Sequence, residues 1–390
     1  ASGTESQGDW VEGTGISASG PPYHDSTGEV TYSERQEGLS TPWSPSTYPG
    51  GTGDGVLATV SSYPGNGVRF DIEFRWNTFP WNCETYKQTG RMMPEDGIEQ
   101  LRENDAIFLG AVGFPGVHDH VSLWGLLIPI RRQMQQYINI RPVRMLKGMV
   151  SPLKGRGSAD IDFIVVRENN EGEYSQIGGR LYEGTDQETA IQESVFTRRG
   201  VDRILRYAFK LAQSRDKKHL TSATKSNGII HTMPFWDERL KVVSEAFPDV
   251  TVDQYHIDIL TANFVLHPDG FDVVVDINLF GDILSDLGPA VAGGIGIAPS
   301  ANLNPERNYP SMFEPVHGSA PDIAGKGIAN PIAVLWSVAM MLDFFNQNDA
   351  AEALMGAIEA VTAEGRVLTP DLGGRFGTKE FTDAVLEKIS

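Results

Sequence analysis

Short apolar runs bounded by polar or turn residues recur along the chain from Arg69 onward. They are Phe70 to Phe74, Asp105 to Val112, Asp162 to Val166, His219 to Ala223, Val250 to Tyr255 and Phe271 to Asp276. Runs of this length predict buried strands. Between them Val201, Ile204, Leu205, Ala208, Leu211 and Ala212 recur at spacings of three and four, the single apolar face of a helix packed on a sheet. A second helix is expected over Ile332 to Phe345, with Asn330 as N-cap and Pro331 at the first helical position. Further helices are predicted from about Asp349 to Ala363, stopped by Gly365, and from Thr378 to the end. Strands alternating with helices predict an α/β fold.

The first segment has another texture. Residues 1–68 are dominated by Gly, Ser, Thr and Pro, and the first fifty carry only Val11, Ile16, Val30 and Leu39 as branched aliphatics. That composition cannot supply a core, so irregular chain is expected there. A length of 390 residues exceeds one core of ordinary size and predicts two lobes. With no apolar run near the roughly 18 residues of a membrane span, and no basic start followed by an apolar stretch, neither a membrane partner nor a secretory signal is expected.

Charge narrows the classes of function. Against 51 acidic side chains stand 32 basic ones, a net charge of -19 that would repel a polyanion and argues against broad nucleic-acid binding. An anionic ligand must then be met by a local cluster of arginines. The single cysteine, Cys83, rules out an intrachain disulfide and fits a reducing cytoplasm, where it reads as a buried spectator thiol.

The most informative segment runs Asp276-Ile-Asn-Leu-Phe-Gly-Asp282-Ile-Leu-Ser-Asp286-Leu-Gly, where a strand gives way to a helix. Asp282 and Asp286 are four apart and share one helical face. Such a pair is either a solvated acidic face or a site for a divalent hard cation, and its apolar neighbours favour the cation. Arg131, Arg141 and Arg167 lie on segments able to converge, and guanidinium groups bind carboxylates through paired donors, which suggests a small polycarboxylate. Taken singly, each is an ordinary surface charge. Tyr174 and Lys225 are candidate proton carriers or plain structural residues. The small-residue run from Glu314 through His317 and Asp322 to Asn330 reads equally as a nucleotide loop or a turn-rich connector. It is not the G-x-G-x-x-G fingerprint, so a Rossmann site is not supported.

Assembled in chain order, these motifs resemble the β-decarboxylating dehydrogenases, the isopropylmalate, isocitrate, tartrate and D-malate group, from about Phe79 to the C-terminus. Phe79-Pro-Trp-Asn-Cys-Glu, Gly90-Arg-Met-Met-Pro-Glu-Asp, Ser122-Leu-Trp-Gly-Leu-Leu-Ile-Pro-Ile-Arg-Arg and Arg167-Glu-Asn-Asn-Glu-Gly-Glu-Tyr look most like its tartrate/D-malate branch. The resemblance implies a two-lobed, isopropylmalate dehydrogenase-like fold with a mixed twisted sheet. Residues 69–136 plus 293–390 would form the NAD-binding lobe, and 137–292 the substrate, metal and dimerisation lobe.

It further implies NAD-linked oxidation, with decarboxylation, of tartrate or D-malate, the latter giving pyruvate and CO2. Arg131, Arg141 and Arg167 would hold substrate, and Asp258, Asp282 and Asp286 would bind Mg²⁺ or Mn²⁺. A monovalent cation such as K⁺ is a further candidate. Lys225 would help remove the hydroxyl proton and Tyr174 would return one to the enol. Glu314, His317, Gly318, Ser319, Ala320, Asp322, Ile323 and Asn330 would hold NAD, Asp322 disfavouring the extra phosphate of NADP. Lys225 and Asp258 would serve the neighbouring subunit's site, which implies a homodimer.

Family members open with an apolar strand, internal to the sheet, running into Pro-Gly-Asp-Gly-Ile-Gly. Nothing before Arg69 repeats this, and the nearest echo is Gly53-Asp54-Gly55-Val56. Two alternatives follow: a 3-isopropylmalate dehydrogenase with Leu123, Trp124 and Leu127 lining an apolar pocket, and a catalytically impaired homologue that binds metal or diacid.

Overall fold

The computed structural model describes the backbone of residues 55–62, together with residues 70 and 72–389. Its strands are β1 (Gly55–Ser62), β2 (Ile72–Phe79), β3 (Ala106–Phe108), β4 (Ile138–Arg144), β5 (Asp162–Glu168), β6 (Gly178–Leu181), β7 (Thr189–Gln192), β8 (His219–Thr224), β9 (Thr251–His256), β10 (Val273–Asp276), β11 (Pro299–Leu303) and β12 (Ser311–Pro315). The helices are α1 (Cys83–Thr89), α2 (Gly97–Arg102), α3 (Asp119–Ser122), α4 (Ile128–Gln133), α5 (Arg198–Ser214), α6 (Thr232–Ser244), α7 (Ile257–Leu266), α8 (Asn278–Ala292), α9 (Ile332–Phe344), α10 (Asn348–Glu364) and α11 (Thr378–Ile389).

Ten strands form one sheet in the order β2-β1-β3-β12-β11-β4-β5-β10-β8-β9, and β6 and β7 make a separate hairpin. Pairings of β5, β10, β8 and β9 along the series are parallel, whereas β4 is antiparallel to both β5 and β11. This is the mixed α/β sheet that the motifs imply, and it is not a Rossmann sheet. Valines 273, 274 and 275 are fully buried, as are Val165 and Val166 beside them. A strand buried on both faces needs such a continuous apolar run. Over it packs α5, whose Val201, Ile204, Leu205, Ala208 and Ala212 all face inward, and whose N-cap Thr197 accepts a bond from Gly200 N–H.

Several boundaries differ from expectation. The strand expected over Asp105 to Val112 shrinks to β3, and the one expected over Phe70 to Phe74 becomes β2, which runs on to Phe79. Helix α9 starts at Ile332 and not at Pro331, because Asn330 Oδ1 reaches two residues ahead to the Ile332 N–H at 2.9 Å. The stop at Gly365 is as expected: it ends α10 with φ +64°.

Irregular chain throughout residues 1–68 is corrected by β1, which lies between β2 and β3 and runs antiparallel to both. Averaging over a Gly- and Ser-rich segment hid the local run Val56-Leu57-Ala58-Thr59-Val60, whose composition suits a strand. Strand β1 is therefore internal to the sheet. The remainder of 1–68, including Gly53 and Asp54 of the sequence echo, lies outside the described residues.

Candidate active site

Three guanidinium groups predicted to converge do so. Arg167 is the penultimate residue of β5, Arg141 sits on β4 and Arg131 on α4, and they are 2%, 7% and 7% exposed. Helix α8 lies directly on the Arg167 stem at Gly281, where a Cβ would come within 2.6 Å of the Arg167 Cβ. Only a residue without a side chain permits that approach. The adjacent residue, Asp282, meets the guanidinium: Arg167 Nη1 donates to Asp282 Oδ1, while its Nε and Nη2 donate to Asn278 Oδ1 at 3.1 and 2.7 Å. Arg141 stands 3.8 Å from Asp282 Oδ1 and 3.6 Å from Asp286 Oδ1, and donates to Ser285 Oγ at 2.6 Å. Arg131 Nη2 donates to Glu314 Oε1 at 2.8 Å, while its buried Nε has no partner.

Electrostatics follow from burial and like charge. Burial and the neighbouring Arg167 charge lower the Arg141 pKa to about 10. Burial works to raise Asp282, but Arg167, Arg141 and the Tyr174 hydroxyl outweigh it and hold the carboxyl below its usual range. Asp286 moves up, chiefly through burial, with the Asp282 charge adding to it. Tyr174 donates to Asp282 Oδ2 at 2.6 Å, and burial together with that bond pushes its pKa up to about 12.

Lys225, just after β8, donates to Asp258 Oδ1 in the first turn of α7 at 2.8 Å. The Lys225 bond holds the Asp258 carboxyl below its usual range. These two residues stand as a unit. Within one chain, no group of three His, Cys, Asp or Glu side chains able to hold a metal forms among the described residues, so Asp258 does not join Asp282 and Asp286 there. The Asp282 and Asp286 pair nevertheless suits a hard cation in its chemistry: two oxygen donors on one helical turn, one of them raised chiefly by burial and further by its partner's charge.

The Glu314 to Asn330 loop divides. Glu314 belongs to β12 and is buried with Arg131, within the guanidinium cluster. Beyond it the chain is largely exposed, with Gly318, Ala320 and Asp322 open to solvent and Ser319 and Ile323 half-buried. His317 Nδ1 lies 3.0 Å from the Gly318 carbonyl, and Asn330 Nδ2 donates to Asp371 at 2.8 Å. A cleft of about 240 Å³ opens beside the loop, lined by Ser319, Pro321 and Ala324 on one side and by Asn82, Cys83 and Gly113 on the other. That is below the ~300–1,000 Å³ of complete ligand sites. Cys83 is 4% exposed and burial raises its pKa, which keeps it a thiol.

Sequence reasoning missed the polar frame behind the arginines. Asn278 holds Arg167, Asn139 holds Arg141, and Arg132 donates to the Tyr174 carbonyl while its guanidinium lies 5.2 Å over the Trp124 ring. The legible signal was asparagine inside otherwise apolar strands, at Ile138-Asn139-Ile140 and Ala301-Asn302-Leu303. Glu168 was also passed over. It is buried, its pKa is pushed up to about 7 by burial, and its Oε2 accepts from the Asn170 and Glu171 N–H groups that turn the chain toward Tyr174.

Together with this mixed sheet and its arginines against an Asp-x-x-x-Asp helix, the isocitrate/isopropylmalate dehydrogenase family pattern matches residues 50–385. The chain belongs to that family. Among its relatives, the D-malate dehydrogenase [decarboxylating] of Escherichia coli (strain K12) is 58% identical over 328 residues, covering 82% of this chain and 91% of that protein. The tartrate dehydrogenase/decarboxylase of Pseudomonas putida is 56% identical over 331 residues, covering 83% and 90%. The crystal structure of isocitrate dehydrogenase from Methylococcus capsulatus superposes with a TM-score of 0.71 at 34% identity, covering 79% of this chain and 88% of that one.

Proposed function

We propose that this protein is a metal-dependent, NAD-linked decarboxylating dehydrogenase of short 2-hydroxy diacids, tartrate and/or D-malate, the latter giving pyruvate and CO2. The observation that carries this reading is the convergence of three buried guanidinium groups, Arg131, Arg141 and Arg167, in a chain of net charge -19. Such a cluster persists only if anions meet it, and Asp282 and Glu314 leave the unpartnered Arg131 Nε for a ligand. The names of the two bacterial relatives support the same substrates.

In this mechanism Arg131, Arg141 and Arg167 grip the two carboxylates and fix C2 in place. Asp282 and Asp286, with Asp258 of a second copy, would hold Mg²⁺ or Mn²⁺, which when bound acidifies the C2 hydroxyl and offsets negative charge on its oxygen. Lys225, delivered with Asp258, helps remove that hydroxyl proton. His317, Gly318, Ser319, Ala320, Asp322, Ile323 and Asn330 would bind NAD, which would supply the hydride acceptor; Glu314 would support the site through Arg131. As CO2 leaves, the bonding electrons pass to C3 as the enolate, and Tyr174 donates its proton there. The lobes, 69–136 with 293–390 and 137–292, would meet at the β4–β11 pairing, and the arginine cluster would draw on both, Arg131 from the first and Arg141 and Arg167 from the second.

A homodimer is part of this reading. Ile259, Val265 and Leu266 on α7, Ile283 on α8, and Ile177, Leu181, Tyr182 and Ile191 on or beside the β6–β7 hairpin are 40–66% exposed. A second copy covering them would remove apolar surface from water and lend Lys225 and Asp258 to the neighbouring site. Among the described residues no helix is long and apolar enough to cross a membrane, and a lone buried thiol supports a cytoplasmic setting.

The Arg132 guanidinium lies over the Trp124 ring at 5.2 Å; with the ring held there, Trp124 would fill an apolar pocket ahead of Arg131 and favour a short diacid over 3-isopropylmalate. The test is NAD reduction with Mn²⁺ and D-malate, L-tartrate, meso-tartrate, 3-isopropylmalate and isocitrate in turn. A preference for D-malate or a tartrate is expected. A preference for 3-isopropylmalate would overturn the substrate, and no turnover by folded dimer would leave the binding homologue.

A further inference from the structure

We propose that two buried asparagines, Asn139 and Asn302, are positioning residues that tie Arg131 and Arg141 into one clamp for a diacid. The inference rests on the diacid reading above and adds to it the part of the fold that sets the angle between the two guanidinium groups.

A continuous line of hydrogen bonds joins them. Arg141 Nε donates to Asn139 Oδ1 at 2.8 Å. Asn139 Nδ2 donates to Asn302 Oδ1 at 3.0 Å and to Ser300 Oγ at 2.8 Å. Asn302 Nδ2 donates to Glu314 Oε1 at 2.8 Å, the same oxygen that accepts from Arg131 Nη2 at 2.8 Å. Asn169 Nδ2 adds a further bond to Asn302 Oδ1 at 2.9 Å. Both asparagines are fully buried, and Glu314 is 7% exposed.

The line has a direction that chemistry dictates. Guanidinium groups only donate, so two arginines joined through neutral amides must meet at one oxygen that accepts from both directions. Glu314 Oε1 is that oxygen. Its charge forces the Asn302 amide to present nitrogen, which turns the Asn302 oxygen to Asn139 and the Asn139 oxygen to Arg141. Strand register holds the members at bonding distance: Asn139 lies opposite Asn302 in the β4–β11 pair, and Arg141 is two residues along the same face of β4. In so dry a setting each bond polarises its neighbour, and neither arginine can turn without disturbing the other. Arg131 Nε, buried without a protein acceptor, is then held facing a ligand oxygen by a frame it does not itself control.

The test uses Asn302→Asp, nearly the same shape but with an acceptor facing Glu314, in the full-length protein. Asn139→Asp is the second variant, since it still accepts from Arg141 but no longer donates to Asn302. Near-ultraviolet circular dichroism and gel filtration establish that each is folded. The expected result is a KM for D-malate raised about tenfold or more, with kcat and the KM for NAD within about twofold of the parent. D-malate affinity measured by calorimetry with Mn²⁺ and without NAD should fall by the same factor. A defect of general packing would instead lower kcat and affect both substrates alike. Folded variants that bind D-malate as tightly as the parent overturn the clamp. A parent protein that binds no diacid overturns the functional reading itself, a result distinct from the first because it appears before any substitution is made.

Discussion

Tyr174 and Asp282 share a hydrogen bond of 2.6 Å in which the phenol donates, while Arg167 engages the other oxygen of the same carboxylate. A proton on the Tyr174 oxygen is thereby secured, since burial and the neighbouring anion both oppose its loss. The phenol is thus protonated at neutral pH but a weak acid, so donation would require the Asp282 charge to be offset first.

Tyr174→Phe should lower kcat for D-malate by about 10²–10⁴-fold, the range of a lost general acid. KM should change little, because the arginines carry substrate binding. Steady-state kinetics with thermal melting decide the matter, and an undiminished kcat would remove Tyr174 from the proton-donor role.

Asp282→Asn withdraws the anion that Arg167 and Arg141 both face. Urea unfolding in chelator should show a loss of about 1.5–3 kcal/mol, the scale of a hydrogen bond to a charged group. A variant as stable as the parent would mean that the arginines find other partners.

Shared sites can be read by complementation. Lys225→Met and Tyr174→Phe chains are each expected to be nearly inactive alone. If a site draws Lys225 from the neighbouring copy, a hybrid dimer holds one intact site. Half of randomly mixed dimers are hybrids, so about a quarter of parental activity should return. No recovery on mixing would confine each site to its own chain.

Asp276 is fully buried, neither carboxylate oxygen has a partner, and burial raises its pKa well above the usual range. An acid raised in the folded state contributes stability below its unfolded pKa of about 3.9 and loses it as pH climbs toward the folded value. Asp276→Val should therefore raise the melting temperature, by more at pH 8 than at pH 5. Calorimetric scans at the two values test this, and a gain that shrinks with rising pH contradicts the assignment.

Much of this protein could be read from residue pattern alone, for reasons that differ between its parts. Helix α5 declared itself because each inward residue keeps a helical spacing and no long-range partner is needed to define the face. Arg131, Arg141 and Arg167 were legible as a cluster because arginine in an acidic chain is chemically conspicuous. Asn139 and Asn302 were not, since an amide has meaning only through its neighbours across the sheet, and those are set by register. Strand β1 was hidden for the opposite reason, a short apolar run submerged in polar sequence. Lys225 and Asp258 came together as a pair, while among the described residues Asp258 does not join Asp282 and Asp286.

The close seat of Gly281 on Arg167 has a consequence for ionic strength. Spacing between the guanidinium and the two aspartates is fixed by backbone lying on an aliphatic stem, a contact that dissolved ions do not weaken. Concentrated salt shortens the reach of charge to about 3 Å at 1 M, so it should slow the arrival of an anionic substrate while leaving the arrangement that receives it undisturbed.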